Sequence, residues 1–263
     1  MATPIIAFLT DFGTRDHYVG AMKGAALSVC PEATLVDITH DIPPQDVFTG
    51  ALELSAACPY FPSGTVFIAV VDPGVGSRRR GIAAEAGGFR FVGPDNGLLS
   101  VVCRDLGTAS IVELTNPRYA RPHVSSTFEG RDRFAPAAAW LARGVALADL
   151  GRDVHDRVEL KVPGSAVSGN QLWGEVLLTD RFGNLVTSID RTTFDGFAGE
   201  IPVQIAVGPH RLSGVVRTYG DAPHAATCAL FGSSGRLEIA VNGGSAAERL
   251  ALSRGAPVVV TRT

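Results

Sequence analysis

Apolar and polar positions along this chain follow two different rhythms. In the first half, PIIAFLT (4–10), TLVDIT (34–39), TVFIAVV (65–71), RFVG (90–93) and SIVEL (110–114) are short apolar runs of strand length. Between them, HYVGAMKGAALSVC (17–30), VFTGALELSAACPYF (47–61) and FAPAAAWLARGVAL (134–147) carry helical spacing, the last in a strongly amphipathic pattern. Strands that alternate with helices predict a mostly parallel sheet covered on both faces.

The rhythm changes after LKVPGSAVSGN, a stretch rich in proline, glycine and serine. LWGEVLLTD, LVTSI, IPVQIAVG, LSGVVRTY, ATCALFG, LEIAVNGG and PVVVTRT then follow one another as short β-type segments between turn residues. The expected architecture is an N-terminal α/β domain with a mostly parallel central sheet over 1–160, a linker over 161–170 and a C-terminal all-β barrel over 171–263.

Composition narrows the classes of function. The 263 residues are 46% hydrophobic and 19% charged, which fits a chain with a substantial core and argues against disorder. A net charge of −3, with one short basic cluster at 78–80, gives no electrostatic footprint for nucleic acid. No apolar run approaches the ~20 residues of a membrane span. MATPIIAFLTDFG lacks the charged region and cleavage site of a signal peptide, so none is expected. Cys30, Cys58, Cys103 and Cys228 are far apart and read as buried free thiols, which makes a cytoplasmic location the expectation. The histidines show no metal-ligand spacing, and no metal site is expected.

The segment VVDPGVGSRRRGI (70–82) ends an apolar run in a lone carboxylate, Asp72, then loosens into glycines and three arginines. It fits a surface turn, a phosphate cradle or a catalytic pair. GVGSRR departs from a dinucleotide fingerprint, because Arg79 stands where the third glycine belongs and a strand-like stretch follows. Neither a G-x-S-x-G elbow nor a Walker loop is present, so serine-hydrolase and nucleotide-hydrolase readings drop out.

Asp11 and Asp72 fall at the C-terminal ends of predicted strands, the edge where open α/β sheets bind ligands, and Asp16, Asp95 and Asn96 fall in neighbouring loops. A carboxylate at a strand end suits ribose hydroxyls, while Asp16 suits either a cationic amine or the cap of the helix that follows. Asp180, Phe182 and Asn184 share one turn in LLTDRFGNLVTSI (177–189). That turn offers an aromatic face, an amide and a carboxylate to a purine with a charged tail, or it is a polar hairpin.

Seven stretches, in this order, resemble one family along nearly the whole chain. They are FLTDFGTRDHYVGAMKG, DITHDIPPQDV, VVDPGVGSRRR, FVGPDNGLL, TFEGRDRFAPAAA, TDRFGNLVTSI and GRLEIAVNGGSAA. The family is that of the S-adenosyl-L-methionine (SAM) hydroxide adenosyltransferases, adenosine-forming SAM hydrolases related to fluorinases and chlorinases. The resemblance implies a homotrimer, with active sites between the first domain of one subunit and the barrel of the next, and no metal or redox cofactor. SAM would be the substrate, adenosine and methionine the products, with neither nucleic acid nor membrane as partner.

Position by position, the resemblance makes Asp72 and Arg79 members of a catalytic Asp–Arg–His set. It places Glu129 where the family carries histidine. It makes Asp11 the ribose-diol carboxylate. Asp16, Asp180 and Ser233 become contacts for the methionine amine or carboxylate, and Phe182 and Asn184 become contacts for adenine. Halogenating relatives carry tyrosine in place of Asp72, so the aspartate implies water or hydroxide as nucleophile. Glu129 would compete with Asp72 for Arg79, acting as a base or slowing the reaction. Two other functions follow from these positions: a SAM- or adenosine-binding protein with weak turnover, motivated by Glu129, and a halide adenosyltransferase, opposed by Asp72.

Overall fold

The computed structural model describes residues 3–263, in two compact units that divide between Leu160 and Lys161. In the first unit the elements are β1 (Ile5–Thr10), α1 (Tyr18–Leu27), β2 (Thr34–Thr39), α2 (Val47–Ala57), β3 (Val66–Val70), β4 (Gly81–Ala86), β5 (Phe89–Pro94), α3 (Ser100–Leu106), β6 (Thr108–Glu113) and α4 (Ala135–Ala142). Their sheet has the order β2-β1-β3-β5-β4-β6. The first four strands are parallel, and β4 runs antiparallel to both its neighbours.

The runs of β1, β3 and β5 become strands buried on both faces, which explains why they lack polar alternation, while the edge strands β2 and β6 stay partly exposed. Ile6, Phe8, Ile68, Val70 and Val92 share one core with Met22, Ala25 and Ala26 of α1 and with the alanines of α4. Successive strand residues point to the opposite face, where Phe67 and Phe91 stack with centroids 5.1 Å apart. Helix α4 differs from its expected pattern: Ala135 through Ala139 and Leu141 are all buried, so it is apolar nearly all round rather than amphipathic. Its small side chains let its backbone approach the sheet closely. A five-residue π-helical turn, Gly130–Phe134, leads into it.

The second unit holds β7 (Ala166–Ser168), β8 (Gln171–Thr179), β9 (Leu185–Asp190), α5 (Arg191–Ala198), β10 (Val203–Val207), β11 (His210–Ser213), β12 (Thr227–Phe231), β13 (Arg236–Val241), α6 (Ala246–Leu250) and β14 (Pro257–Arg262). Its sheet, β11-β10-β14-β8-β9-β13-β12, is antiparallel throughout, and its end strands β11 and β12 approach each other, so it is barrel-like and nearly closed. Leu172, Leu185, Ile189, Ile205, Leu237, Ile239 and Val258 fill its interior, and α5 and α6 add Phe194, Phe197 and Leu250. Strand β7 lies inside the 161–170 stretch and pairs with β8.

All four cysteines are free and buried, and burial pushes the Cys58 thiol up to about 11, far from a reactive thiolate. Among the described residues no helix is long and apolar enough to cross a membrane.

Asp190 caps α5. Its Oδ1 accepts from the Thr193 N–H at 2.8 Å and its Oδ2 from the Thr193 hydroxyl at 2.7 Å. Burial pushes this carboxyl up, but the Thr193 donors outweigh it and hold the carboxyl below its ordinary value. The cap therefore stabilises fully above the usual aspartate pKa of about 3.9 and loses its effect as pH falls below that. Asp190→Ala should cost about 1 kcal/mol at neutral pH. Thermal melts should show that deficit shrinking as the pH is lowered through the carboxylate range.

Candidate active site

Because β1, β3 and β5 are parallel, their C-terminal ends lie on one edge of the sheet. Asp11 follows β1, Asp72 follows β3 by one residue, and Asp95 and Asn96 follow β5. The loop after β3 is tightly wound. The Val75 N–H donates to Asp72 O at 3.3 Å, the Ser77 N–H to Gly74 O at 3.1 Å, and the Arg79 N–H to Ser77 Oγ at 3.2 Å. Gly76 has φ +78°, and a Cβ there would lie 2.7 Å from Ser126 O, so both backbone angle and space demand glycine.

This winding turns Arg79 back onto Asp72. Arg79 Nε donates to Asp72 Oδ1 at 2.9 Å, and Arg79 Nη2 donates to Asp72 Oδ2, a forked pairing. The same Nη2 also donates to Glu129 Oε2. The three side chains are nearly closed to water, at 9% exposure for Arg79, 5% for Asp72 and 13% for Glu129. The Arg79 guanidinium lies 5.4 Å from the centre of the Phe134 ring, which forms an apolar floor. Gly81 makes room for that ring, since a Cβ there would come within 2.7 Å of it.

The other arginines of the cluster serve differently. Arg80 Nε donates to Asp95 Oδ2 at 2.9 Å and its Nη1 to Asp156 Oδ1 at 2.6 Å, so it ties β5 to the chain that returns at 156. Buried Asp95 also accepts from the Val158 N–H at 2.9 Å, and Asn96 Nδ2 donates to Val71 O at 2.9 Å. Asn96 therefore braces the end of β3 immediately before Asp72, while Asp95 anchors Arg80 and the returning chain at Val158.

Asp11 Oδ2 accepts from the Gln45 N–H at 2.8 Å, and Gln45 has a φ of 66°. Beneath that loop, Thr10 Oγ1 and His40 Nδ1 are 2.8 Å apart in the core, and His40 Nε2 lies 3.0 Å from Asp37 Oδ1. Asp16 is exposed; His17 occupies the N-cap of α1, without a side-chain cap bond. Asp16 is thus not the cap of that helix.

In the second unit, residues 180–184 form the β8–β9 hairpin. Asp180 Oδ1 accepts from the N–H groups of Phe182 and Asn184 at 2.9 and 2.8 Å, while its Oδ2 takes Asn184 Nδ2 at 2.8 Å. This carboxylate builds the turn, and the turn holds Phe182 out at 78% exposure. Phe182 and Asn184 line a cavity of about 420 Å³ together with Tyr219, Val241, Gly243 and Gly244. Ser233 lies in the exposed β12–β13 turn.

Tyr219 escaped the sequence reading. Its hydroxyl donates to Glu238 Oε2 at 2.9 Å, and burial with that carboxylate pushes the phenol up to about 12. An aromatic residue beside a glycine in TYGDAP was the available signal. Arg133 was missed as well; its Nε stands 3.3 Å from Glu129 Oε1. Among the described residues no group of three or more His, Cys, Asp or Glu side chains is arranged to hold a metal ion.

Residues 6–151 match the SAM hydroxide adenosyltransferase N-terminal domain, and residues 174–259 match the C-terminal domain of the same name. A protein from Thermus thermophilus named (R)-S-adenosyl-L-methionine hydrolase is 42% identical over 261 residues, covering 96% of this chain and 98% of that protein. A protein from Actinoplanes sp. named fluorinase is 32% identical over 294 residues, covering 98% of each. The crystal structure of an uncharacterized conserved protein from Thermotoga maritima superposes with a TM-score of 0.92 at 36% identity, covering 98% of this chain and 100% of that one. With both domain models matched in order, and with relatives of this identity along nearly its full length, the chain belongs to the SAM hydroxide adenosyltransferase family.

Proposed function

We propose that this protein hydrolyses S-adenosyl-L-methionine to adenosine and L-methionine. One observation carries the reading: in a chain of this family, a single buried guanidinium, Arg79, gathers the carboxylates of Asp72 and Glu129 at the C-terminal edge of β3. In this reading Asp11 takes the ribose diol, and Phe182 and Asn184 take adenine. Asp16 and Ser233 contact the methionine end, while Asp180 contributes by shaping the hairpin.

The chemistry follows from the leaving group. SAM carries a sulfonium, so the C5′–S bond breaks with its electron pair passing to sulfur, and methionine departs as a neutral thioether. A water oxygen forms the new bond to C5′ from the opposite side and loses one proton. No general acid is required, and no electrons are exchanged with a cofactor. The site has to hold one oxygen in line with the C5′–S bond and take its proton. Arg79 donates toward that oxygen, and a carboxylate beside it accepts the proton. Asp72 has both oxygens committed to Arg79, so it serves chiefly to fix the guanidinium. That leaves Glu129, which gives one oxygen to the same nitrogen and meets Arg133 with the other only at a looser 3.3 Å, as the base.

A halide competes poorly here, because Asp72 sets a fixed negative charge where a halide would have to approach. The assembly in this reading is the homotrimer that the family resemblance implies, working in the cytoplasm.

Incubation with SAM should release adenosine and methionine in equal amounts, followed by chromatography. In water enriched in oxygen-18, the label should appear in the adenosine 5′-hydroxyl. Release no faster than in buffer alone, or a chloride-dependent yield of 5′-chloro-5′-deoxyadenosine, would overturn the reading. Asp72→Asn keeps the shape but removes the charge that fixes Arg79, and kcat should fall by about 100-fold or more, with a smaller change in KM.

A further inference from the structure

Glu129 poses an electrostatic problem that Asp72 and Arg79 do not solve between them. Two carboxylates around one guanidinium leave a net negative charge among side chains that are nearly closed to water. Asp72 already uses the fork of Arg79, and Glu129 has only the remaining hydrogen of Nη2. A carboxylate held at one oxygen can rotate about its last bond, and its neighbour's charge pushes it to do so.

The next turn of chain supplies the missing cation. Arg133 follows Glu129 at i+4, and its Nε lies 3.3 Å from Glu129 Oε1, the oxygen that Arg79 does not take. Its other end is fixed by Nη1, which donates to Leu114 O at 3.5 Å, just beyond β6. The π-helical turn sets this register. The Ala135 N–H donates to Gly130 O, and the widened turn sends Phe134 beneath Arg79 while Arg133 reaches Glu129. Two guanidiniums then balance two carboxylates, and each oxygen of Glu129 has its own partner.

We infer that Arg133 is a positioning residue for the hydrolytic reaction, fixing Glu129 so that its carboxylate stays aimed at the nucleophilic water. This role rests on the hydrolytic reading given above. At 32% exposure Arg133 is partly screened by solvent, so its contribution falls on orientation more than on stability. It also makes Glu129 and Arg133 a functional pair: either residue has its role only when the other is present.

The test is a double-mutant cycle on SAM turnover. Arg133→Met keeps the apolar stem and removes the charge; kcat should fall about tenfold while KM moves less than twofold. Arg133→Lys, which restores a cation, should recover most of the rate. In a Glu129→His background, where no carboxylate remains to be aimed, Arg133→Met should cost twofold or less. An equal loss in both backgrounds would show a merely structural role and overturn the inference, as would an unchanged kcat in Arg133→Met. Those results leave SAM hydrolysis by the unaltered protein intact. If the unaltered protein releases no adenosine, the hydrolytic reading falls, and the role of Arg133 falls with it.

Discussion

The Arg79 guanidinium is shared by two carboxylates in a place almost closed to water, and much of the first unit is arranged around that fact. Buried charge is tolerated only when it is paired and its hydrogen-bonding positions are filled. The loop after β3 must therefore fold back sharply enough for Arg79 to reach Asp72. Gly76 permits the backbone angle, and Ser77 pins the turn from inside. Phe134 closes the floor, and Gly81 is small because that ring needs its space. Asn96 holds the end of β3 from the neighbouring loop, and Asp95 anchors Arg80 and Val158 beside it.

The two units contribute different kinds of surface. The parallel sheet brings carboxylates and a guanidinium to one edge, as its topology dictates for residues that follow parallel strands. The antiparallel unit contributes a cavity walled by Phe182 and Tyr219, and a buried carboxylate outside that lining, Glu238, accepts from the tyrosine hydroxyl. Burial pushes the Glu238 carboxyl up, Tyr219 draws it back down, and the Asp180 charge adds to the rise. One unit is suited to placing a polar reaction, the other to holding a flat apolar ring with a polar rim.

Strands β1 and β3 were legible because a run buried on both faces is continuously apolar, and the β-segments of the second unit were legible from their spacing between turns. Helices α3, α5 and α6 were not: SVVCRDL sits between a turn and a strand and is too short to display a period. Asp72 stood beside three arginines in the sequence, and family resemblance was what singled out Arg79 among them. Glu129, far along the chain, was reachable only through family resemblance, since nothing in its local pattern points toward β3. Arg133 stands four residues after Glu129, a spacing that pairs side chains once the segment is helical, but GRDRF shows no apolar period to announce the π-helical turn. Asp180 fits both readings of its turn, and the three hydrogen bonds it accepts from Phe182 and Asn184 account for its carboxylate as a hairpin brace.

The most direct measurement is a crystal structure of the protein with adenosine and methionine bound. The ribose C5′ should face the Asp72–Arg79–Glu129 cluster, with its 5′-oxygen within hydrogen-bond distance of Arg79 or Glu129 and the methionine sulfur on the far side of that carbon. A nucleoside seated elsewhere, or Asp72 and Arg79 turned apart into solvent while it is bound, would contradict hydrolysis at this cluster.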